Sequence, residues 1–211
     1  MILSLIVILL SIIFLFFFKN ISVSINLFDL PDGVRKFQKD KVSCIGGIYF
    51  YFLFIVILIY SYCIDFNLAK IYELILIQNF KGLFLFLFVI TFLFLIGLYD
   101  DKYELKSTNK TILLIIFIFI YVFHEESYQI KELRSSYFDQ SLLLGNFSIF
   151  FTIICIFSLL VAFNMFDGSN GQSFFNFLAI FIFLFHKGLF ANISSLFIFM
   201  LLIFALLNFR N

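Results

Sequence analysis

The sequence predicts an all-α, polytopic integral membrane protein, a bundle of about seven transmembrane helices in a single domain over residues 1–211. Its composition is the first reason: 64% of the 211 residues are hydrophobic, only 13% are charged, and the mean hydropathy is +1.13. Soluble domains are about half apolar and about a quarter charged. The second reason is length, because the apolar runs extend well past the roughly 4–8 residues of a strand, although many of the 37 phenylalanines alternate as in a strand.

Seven apolar segments are candidate spans, since a helix needs roughly 17–25 residues to cross the hydrocarbon core. The fourth is short, and the sixth is long enough only if it begins inside the polar sequence DGSNG. The first has no basic leader and no cleavage site of small residues, so it is predicted to be a retained helix. In chain order the segments are Ile2–Phe18, Ile48–Ile64, Leu83–Tyr99, Thr111–Phe123, Leu142–Phe163, Ser169–Phe185 and Leu189–Leu207.

The charges outside the spans predict the orientation. Seven spans place loops 19–47, 100–110 and 164–168 and the tail 208–211 on one side of the membrane. That side carries nine Lys and Arg residues against five on the other, so the positive-inside rule makes it cytoplasmic and puts the N-terminus outside. The nine are Lys19, Arg35, Lys36, Lys39, Lys41, Lys102, Lys106, Lys110 and Arg210; the five are Lys70, Lys81, Lys131, Arg134 and Lys187.

Other features carry less information. Cys44, Cys63 and Cys155 have neither metal-site nor disulfide spacing and are interpreted as reduced packing residues. His124 and His186 fall on the outer side, and AKIYELILIQNF is predicted to lie in the interface plane. The net charge of +1 gives no reason to expect a nucleic-acid partner.

Three polar loops meet on the predicted cytoplasmic face, and together they indicate phosphoryl chemistry. They contain DLPDGVRKFQKDKVSCIGG, GLYDDKYELKSTNK and NMFDGSNG. Adjacent carboxylates such as Asp100 and Asp101 repel each other unless a cation or hydrogen-bond donors offset the repulsion. Mg²⁺ binds a few carboxylates together with substrate phosphate oxygens. Basic residues suit a phosphorylated substrate, and glycines let backbone N–H groups approach phosphates.

Each loop also has a simpler interpretation. An acidic pair at a helix end is commonly solvated or part of a cap, and DGSNG has the composition of a tight turn. The basic first loop serves equally well as a topology signal. Counting from Asp167, the twelfth position is Leu178 where a calcium loop has Glu, and the P-loop lysine is absent. Only the convergence of three loops on one face favours the functional interpretation.

In this order and at these separations, FNMFDGSNG, GLYDDKYEL…K and DLPDGVRKFQ…IGG resemble the polyprenyl-phosphate N-acetylhexosamine-1-phosphate transferases of glycosyl transferase family 4. The likeness extends from about Phe28 to the end of the chain. It is greater to the WecA-like branch than to the peptidoglycan branch, because of the RK-then-GG pattern of the first loop. The acidic pair and the NxxDGxxG motif are specific in combination.

The resemblance implies that a polyprenyl (undecaprenyl) phosphate attacks the β-phosphorus of a UDP-N-acetylhexosamine. The products are UMP and a polyprenyl-diphosphate sugar that starts a cell-envelope glycan, such as that of lipopolysaccharide or the cell wall. It implies Mg²⁺ or Mn²⁺ as cofactor, a bacterial inner (plasma) membrane location, and a homo-oligomer or a complementing C-terminal chain as further partners.

The resemblance also implies the site residues. Asp100 and Asp101 would orient or deprotonate the lipid phosphate, and Asp101 and Asp167 would lie at the metal. Asn164 would contact the nucleotide, and Gly46 and Gly47 would let the second helix pack closely. The remaining substrate-binding residues would be Lys110, Arg35, Lys36, Gly168 and Gly171.

The chain departs from the family pattern at several positions. The first loop has Gln38 in place of the usual His and lacks the Pro before its glycines, Val161 replaces an Asn, and Gln172–Ser173 replaces Leu-Ala. Family members continue past a phrase like LLNFRN into a Gly-Asp-Ser-Gly motif with a metal-ligand Asp, so the chain is expected to represent the N-terminal two-thirds of the fold. Two alternatives therefore stay open: an inactive remnant or membrane subunit of such an enzyme, and a small transporter.

Overall fold

The computed structural model describes residues 2–29, 42–63, 80–134, 141–166, 172–188 and 191–208. These residues form seven α-helices, two short antiparallel strand pairs and two single turns of 3₁₀ helix. The helices are α1 Ile2–Ile25, α2 Gly46–Cys63, α3 Phe80–Tyr103, α4 Ser107–His124, α5 Ser148–Phe166, α6 Gln172–His186 and α7 Ala191–Asn208. The strands are β1 Phe28–Asp29, β2 Val42–Ser43, β3 Glu132–Arg134 and β4 Ser141–Leu143, and the 3₁₀ turns are Glu126–Tyr128 and Gly145–Phe147.

The predicted all-α membrane fold is confirmed. Four helices are long and apolar enough to cross a bilayer, namely α1, α3, α4 and α5, and α2, α6 and α7 contribute shorter apolar segments. Large apolar side chains are exposed along most of the helices, including Phe16, Phe84 and Phe175. A helix satisfies every backbone polar group within its own segment, which is why apolar chains in hydrocarbon adopt it. The exposed aromatic and aliphatic side chains form the lipid-facing surface.

Contacts between α2, α3 and α7 show that these helices run antiparallel to their neighbours. On α2, Tyr51 stacks on Phe94 of α3 with ring centroids 4.0 Å apart, whereas further along α2 Phe54 packs against Phe86, earlier on α3, at 6.2 Å. Four residues before the end of α7, Phe204 packs against Phe50 at 5.4 Å, whereas further along α2 Phe54 packs against Phe197 at 6.4 Å. The start of α2 therefore lies beside the end of α7.

Similar pairs align the remaining helices. Phe92 on α3 stacks on Phe117 on α4 at 4.9 Å. Phe163, near the end of α5, stacks at 4.6 Å on Phe177, near the start of α6. The ends of α3, α5 and α7 consequently lie at the same end of the bundle as the starts of α2, α4 and α6, as predicted from the alternation of spans. We call this end the acidic end, after Asp100 and Asp101.

The best-buried core lies where α1, α2 and α7 meet. Tyr49 is fully buried there, and its hydroxyl donates to Ser11 Oγ at 3.0 Å and lies 3.4 Å from the Met200 carbonyl oxygen. Ser11 Oγ in turn donates to the Val7 carbonyl oxygen at 2.6 Å. The contacts tie three helices together through one side chain.

The structure corrects several predicted boundaries. The fifth span was predicted to begin at Leu142, but that residue lies in strand β4, and α5 begins only at Ser148. Gly145, with φ +52°, separates the strand from the helix. The fourth helix is longer than predicted, because it begins at Ser107 instead of Thr111. The sixth helix is described over Gln172–His186, and the polar sequence 167–171 before it lies outside the described residues. The predicted interfacial stretch 69–80 lies, apart from Phe80, outside the described residues.

Candidate functional site

Asp100 and Lys110 form an ion pair between the last turn of α3 and the first turn of α4. Lys110 Nζ donates to Asp100 Oδ2 at 2.6 Å, and the Leu105 backbone N–H donates to Asp100 Oδ1 at 3.1 Å. Between the helices, Glu104 adopts a left-handed φ of 50°, and its N–H bonds to the Asp100 carbonyl oxygen at 2.8 Å. The tight reversal allows two residues ten positions apart to meet.

The ion pair is neither fully solvated nor fully buried. The side chains of Lys110 and Asp100 are 25% and 22% exposed. Partial burial strengthens the attraction between the charges relative to a surface pair, because less water screens it. Both carboxylate oxygens of Asp100 accept a hydrogen bond from the protein, so this carboxylate holds Lys110 in place.

The first polar loop begins and ends close to the Asp100 helix. Strand β1 pairs with β2 in the register Phe28↔Ser43 and Asp29↔Val42, and β1 contacts α3. Leu98, two residues before Asp100, packs against the core cluster that contains Leu27 and Ile45. The structure therefore brings two of the three predicted loops together at the acidic end. Arg35 and Lys36 lie outside the described residues.

Gly46 and Gly47 differ, although the sequence assigned them one role. A Cβ atom on Gly46 would lie 2.5 Å from the Phe204 ring, so close packing of α2 against α7 requires glycine there. Among the described residues, a Cβ atom on Gly47 would meet nothing within 4 Å. The prediction that both glycines allow close packing is thus right for Gly46 and wrong for Gly47.

The remaining predicted residues fall into two groups. Asp101 and Asn164 are both exposed, and both belong to helices that end at the acidic end, Asp101 in α3 and Asn164 in α5. Asp167, Gly168 and Gly171 lie in the segment 167–171, which is outside the described residues. The helices that flank this segment, α5 and α6, have their adjoining ends at the acidic end.

A tyrosine pair at the end of α3 was not singled out from the sequence. The rings of Tyr99 and Tyr103 lie 4.7 Å apart, both side chains are exposed, and Lys102 Nζ lies 5.7 Å from the Tyr103 centroid. Their spacing of four residues in GLYDDKY was the available signal, because residues at i and i+4 share a helix face. Amphipathic tyrosines of this kind are typical of a membrane–water interface.

The carboxylates at the acidic end are the candidate oxygen donors for Mg²⁺. Among the described residues, no three His, Cys, Asp or Glu side chains gather as a metal cluster. Mg²⁺ in phosphoryl-transfer sites commonly takes only one or two carboxylates and completes its shell with phosphate oxygens and water. Asp100 accepts hydrogen bonds from Lys110 and Leu105, and exposed Asp101, next to it, carries a second carboxylate. These residues would fit such a sparse site, with Asp101 as a candidate ligand.

Comparison with known proteins assigns the chain to a family. The family model for glycosyl transferase family 4 matches residues 83–210, which is more than half of the chain. Searches of curated proteins and of solved structures give no match. The match includes Asp100, Asp101, Lys110 and Asn164. The chain therefore belongs to glycosyl transferase family 4, a membrane family whose members transfer sugar phosphate to a lipid carrier.

Proposed function

We propose that this protein transfers N-acetylhexosamine-1-phosphate from a UDP-sugar to polyprenyl phosphate and so starts a cell-envelope glycan. The single observation that carries the proposal is the Asp100–Lys110 pair, which fixes a cation beside a second carboxylate at one end of an apolar helical bundle. The family match supports the same reaction class.

In this proposal Lys110 neutralises phosphate charge, and Asp100 positions Lys110. Phosphoryl transfer depends mainly on orientation and on charge placed where the transition state needs it. Each oxygen of Asp100 accepts one hydrogen bond, from Lys110 or from Leu105, which fits a positioning role for this carboxylate. Asp101, the other member of the acidic pair, would orient or deprotonate the lipid phosphate. Arg35 and Lys36 would add positive charge from the first loop.

Asp101 and Asp167 would hold Mg²⁺ or Mn²⁺. The cation supplies positive charge against the diphosphate oxygens of the sugar nucleotide. Asn164 would contact the nucleotide, and Gly168 and Gly171 would let backbone N–H groups approach its phosphates.

The position of the acidic end suits a lipid acceptor. The phosphate of a polyprenyl phosphate stays at the membrane surface because its chain stays in the hydrocarbon. Residues that act on it must lie where helices end, as Asp100, Asp101 and Lys110 do. We place this end in the cytoplasm and the N-terminus outside, in a bacterial plasma membrane, because the acidic end carries the larger share of Lys and Arg.

The distribution of charge argues against a transporter. Transporters place ionisable groups near the middle of the bilayer. In the described helices, charged side chains lie in the terminal turns, apart from Lys19 in the second half of α1. An inactive membrane subunit of a family 4 transferase is the alternative that an activity measurement distinguishes.

The test is UMP release by the purified chain in vesicles that contain undecaprenyl phosphate, with UDP-N-acetylglucosamine added. We expect Mg²⁺-dependent UMP formation, loss of activity with EDTA, and restoration by added Mg²⁺. Asp167→Asn should abolish activity, whereas Lys106→Met, which removes an exposed lysine at the start of α4, is the matched control. UMP no higher than in protein-free vesicles would favour the inactive-subunit alternative.

A further inference from the structure

A β-hairpin lies at the opposite end of the bundle from Asp100, between α4 and α5. It consists of β3 and β4, and its base is fixed to the helices by hydrogen bonds. The Ile130 N–H donates to Thr152 Oγ1 at 2.9 Å, and Ser148 Oγ donates to the Ile130 carbonyl oxygen at 2.7 Å. The Leu144 N–H also bonds to the Lys131 carbonyl oxygen at 3.0 Å. The hairpin is therefore held in one position relative to α5.

The strand register gives the hairpin two different faces. Leu133 lies opposite Leu142, so these two side chains share one face. The other face carries the pairs Glu132↔Leu143 and Arg134↔Ser141. Arg134 Nη2 also lies 2.8 Å from Glu132 Oε1. Among the described strand residues, one face is thus purely aliphatic, and the other carries Glu132, Arg134 and Ser141 beside Leu143.

The leucines of the hairpin are unusually exposed. Leu142 and Leu143 are 63% and 74% exposed, and all six described strand residues are exposed. The exposure continues along the chain into Phe147 and Phe150, the latter on the lipid-facing surface of α5. Contiguous exposed apolar surface of this kind marks contact with a membrane or a partner.

The charges of the hairpin favour lipid headgroups in general over a charged partner. Lys131 pairs with Glu126 at 3.4 Å, and Arg134 pairs with Glu132. With Asp139 in the sequence between the strands, residues 126–143 carry two positive and three negative charges. An aliphatic face beside a polar face without net positive charge fits the headgroup boundary of a bilayer, where apolar area drives binding. The exposed apolar surface of the hairpin is continuous with the lipid-facing side of α5, which places the hairpin at the depth of the headgroups.

We propose that hairpin β3–β4 docks into the headgroup layer of the bilayer opposite the acidic end, with the Leu133–Leu142 face toward the acyl chains. It acts as an interfacial anchor that fixes the depth of α4 and α5 in the membrane. Because residues 126–143 carry no net positive charge, anionic lipid is not expected to set its depth.

Tryptophan fluorescence tests this directly, since the chain contains no tryptophan. Leu142→Trp and Ser141→Trp place a single reporter at neighbouring exposed positions on opposite faces. Phe150→Trp on α5 is the positive control for lipid contact. Each variant is reconstituted in phosphatidylcholine vesicles and quenched either by acyl-brominated phosphatidylcholine or by aqueous acrylamide.

We expect brominated lipid to quench Leu142→Trp several times more strongly than Ser141→Trp, and acrylamide to show the reverse order. The difference should persist when phosphatidylglycerol is added and when the protein is diluted in lipid. Equal acrylamide quenching at both positions, with no lipid quenching, would overturn the proposal. Protection of Leu142→Trp that disappears on dilution in lipid would also overturn it and would identify a second copy of the chain as the occupant. Both substitutions lie on exposed strand positions. Reconstitution of these variants into vesicles with the same yield as Phe150→Trp shows that they fold.

Discussion

Removing the negative charge of Asp100 should lower kcat/KM for UMP release only because Lys110 loses the partner that positions it. Asp100→Asn keeps an oxygen that can accept from the Leu105 N–H but removes the negative partner of Lys110. Lys110→Met removes the cation itself. If Asp100 is a positioning residue, the double variant should be no slower than Lys110→Met alone.

The structure sets the size of the effect. The two charges lie 2.6 Å apart, with about a quarter of each side chain exposed. Exposed ion pairs contribute about 0–1 kcal/mol, and breaking a buried pair costs about 3–5 kcal/mol. The coupling should therefore be about 1.5–2 kcal/mol, which corresponds to a factor of about 10–30. Loss of a positioned cation beside a transferring phosphate should itself cost about 100- to 1,000-fold in kcat.

The assay is kcat/KM for UMP release from the wild type, both single variants and the double variant in the same vesicles. Lys106→Met is the control for loss of an exposed positive charge at the same helix end. Multiplication of the two single effects in the double variant would show that Asp100 acts independently, for example as the base, and would refute the positioning role. The reductions in kcat/KM caused by Asp101→Asn and by Lys110→Met should multiply in the double variant, because the two residues have separate roles.

Four further substitutions test the packing and the nucleotide contact. Gly46→Ala should lower stability by about 1–3 kcal/mol because its Cβ would meet Phe204, whereas Gly47→Ala should be neutral or gain up to about 1 kcal/mol; equal melting temperatures in detergent would contradict this. Tyr49→Phe should cost about 0.5–1.5 kcal/mol by removing the hydroxyl that joins three helices, and an unchanged melting temperature would show that the contact contributes nothing. Asn164→Ala should raise KM for the UDP-sugar about fivefold, the equivalent of about 1 kcal/mol, with KM for the lipid unchanged; a selective rise in the lipid KM would reassign the residue.

The order of the described helices followed from hydropathy, but several of their ends did not. Hydropathy marks the part of a helix that lies in hydrocarbon, and a helix continues into the headgroup region while its backbone bonds hold. Thus α1 extends to Ile25 and α3 to Tyr103, past their predicted ends at Phe18 and Tyr99.

The hairpin β3–β4 could not be predicted from hydropathy. The run Leu142–Leu144 is as apolar as the helix that follows, so a window averages the strand and the helix into one segment. The local signals were Gly145, suited to a positive φ, and Ser148 just before the second apolar run. Both signals reflect backbone geometry, to which a hydropathy average is insensitive.

The sequence suggested Asp100 and Lys110 by type but not the pairing between them. The resemblance implied separate phosphate roles for the two residues, which lie ten positions apart along the chain. Their contact depends on the left-handed conformation of Glu104, a residue type for which that conformation is uncommon. The polar segment 167–171 stays a prediction.

The length of α4 has a consequence for the membrane itself. Both of its ends are described, and its 18 residues rise about 27 Å, against a hydrocarbon thickness of about 30 Å. Ile112, Phe119 and Phe123 on this helix are exposed, so lipid contacts it directly. Slight thinning of the bilayer beside α4 would match it, at a cost of a fraction of a kcal/mol per Å. Such thinning would draw headgroups toward the midplane at the edge of the protein, and we expect the chain to be least strained in a bilayer with slightly shortened acyl chains.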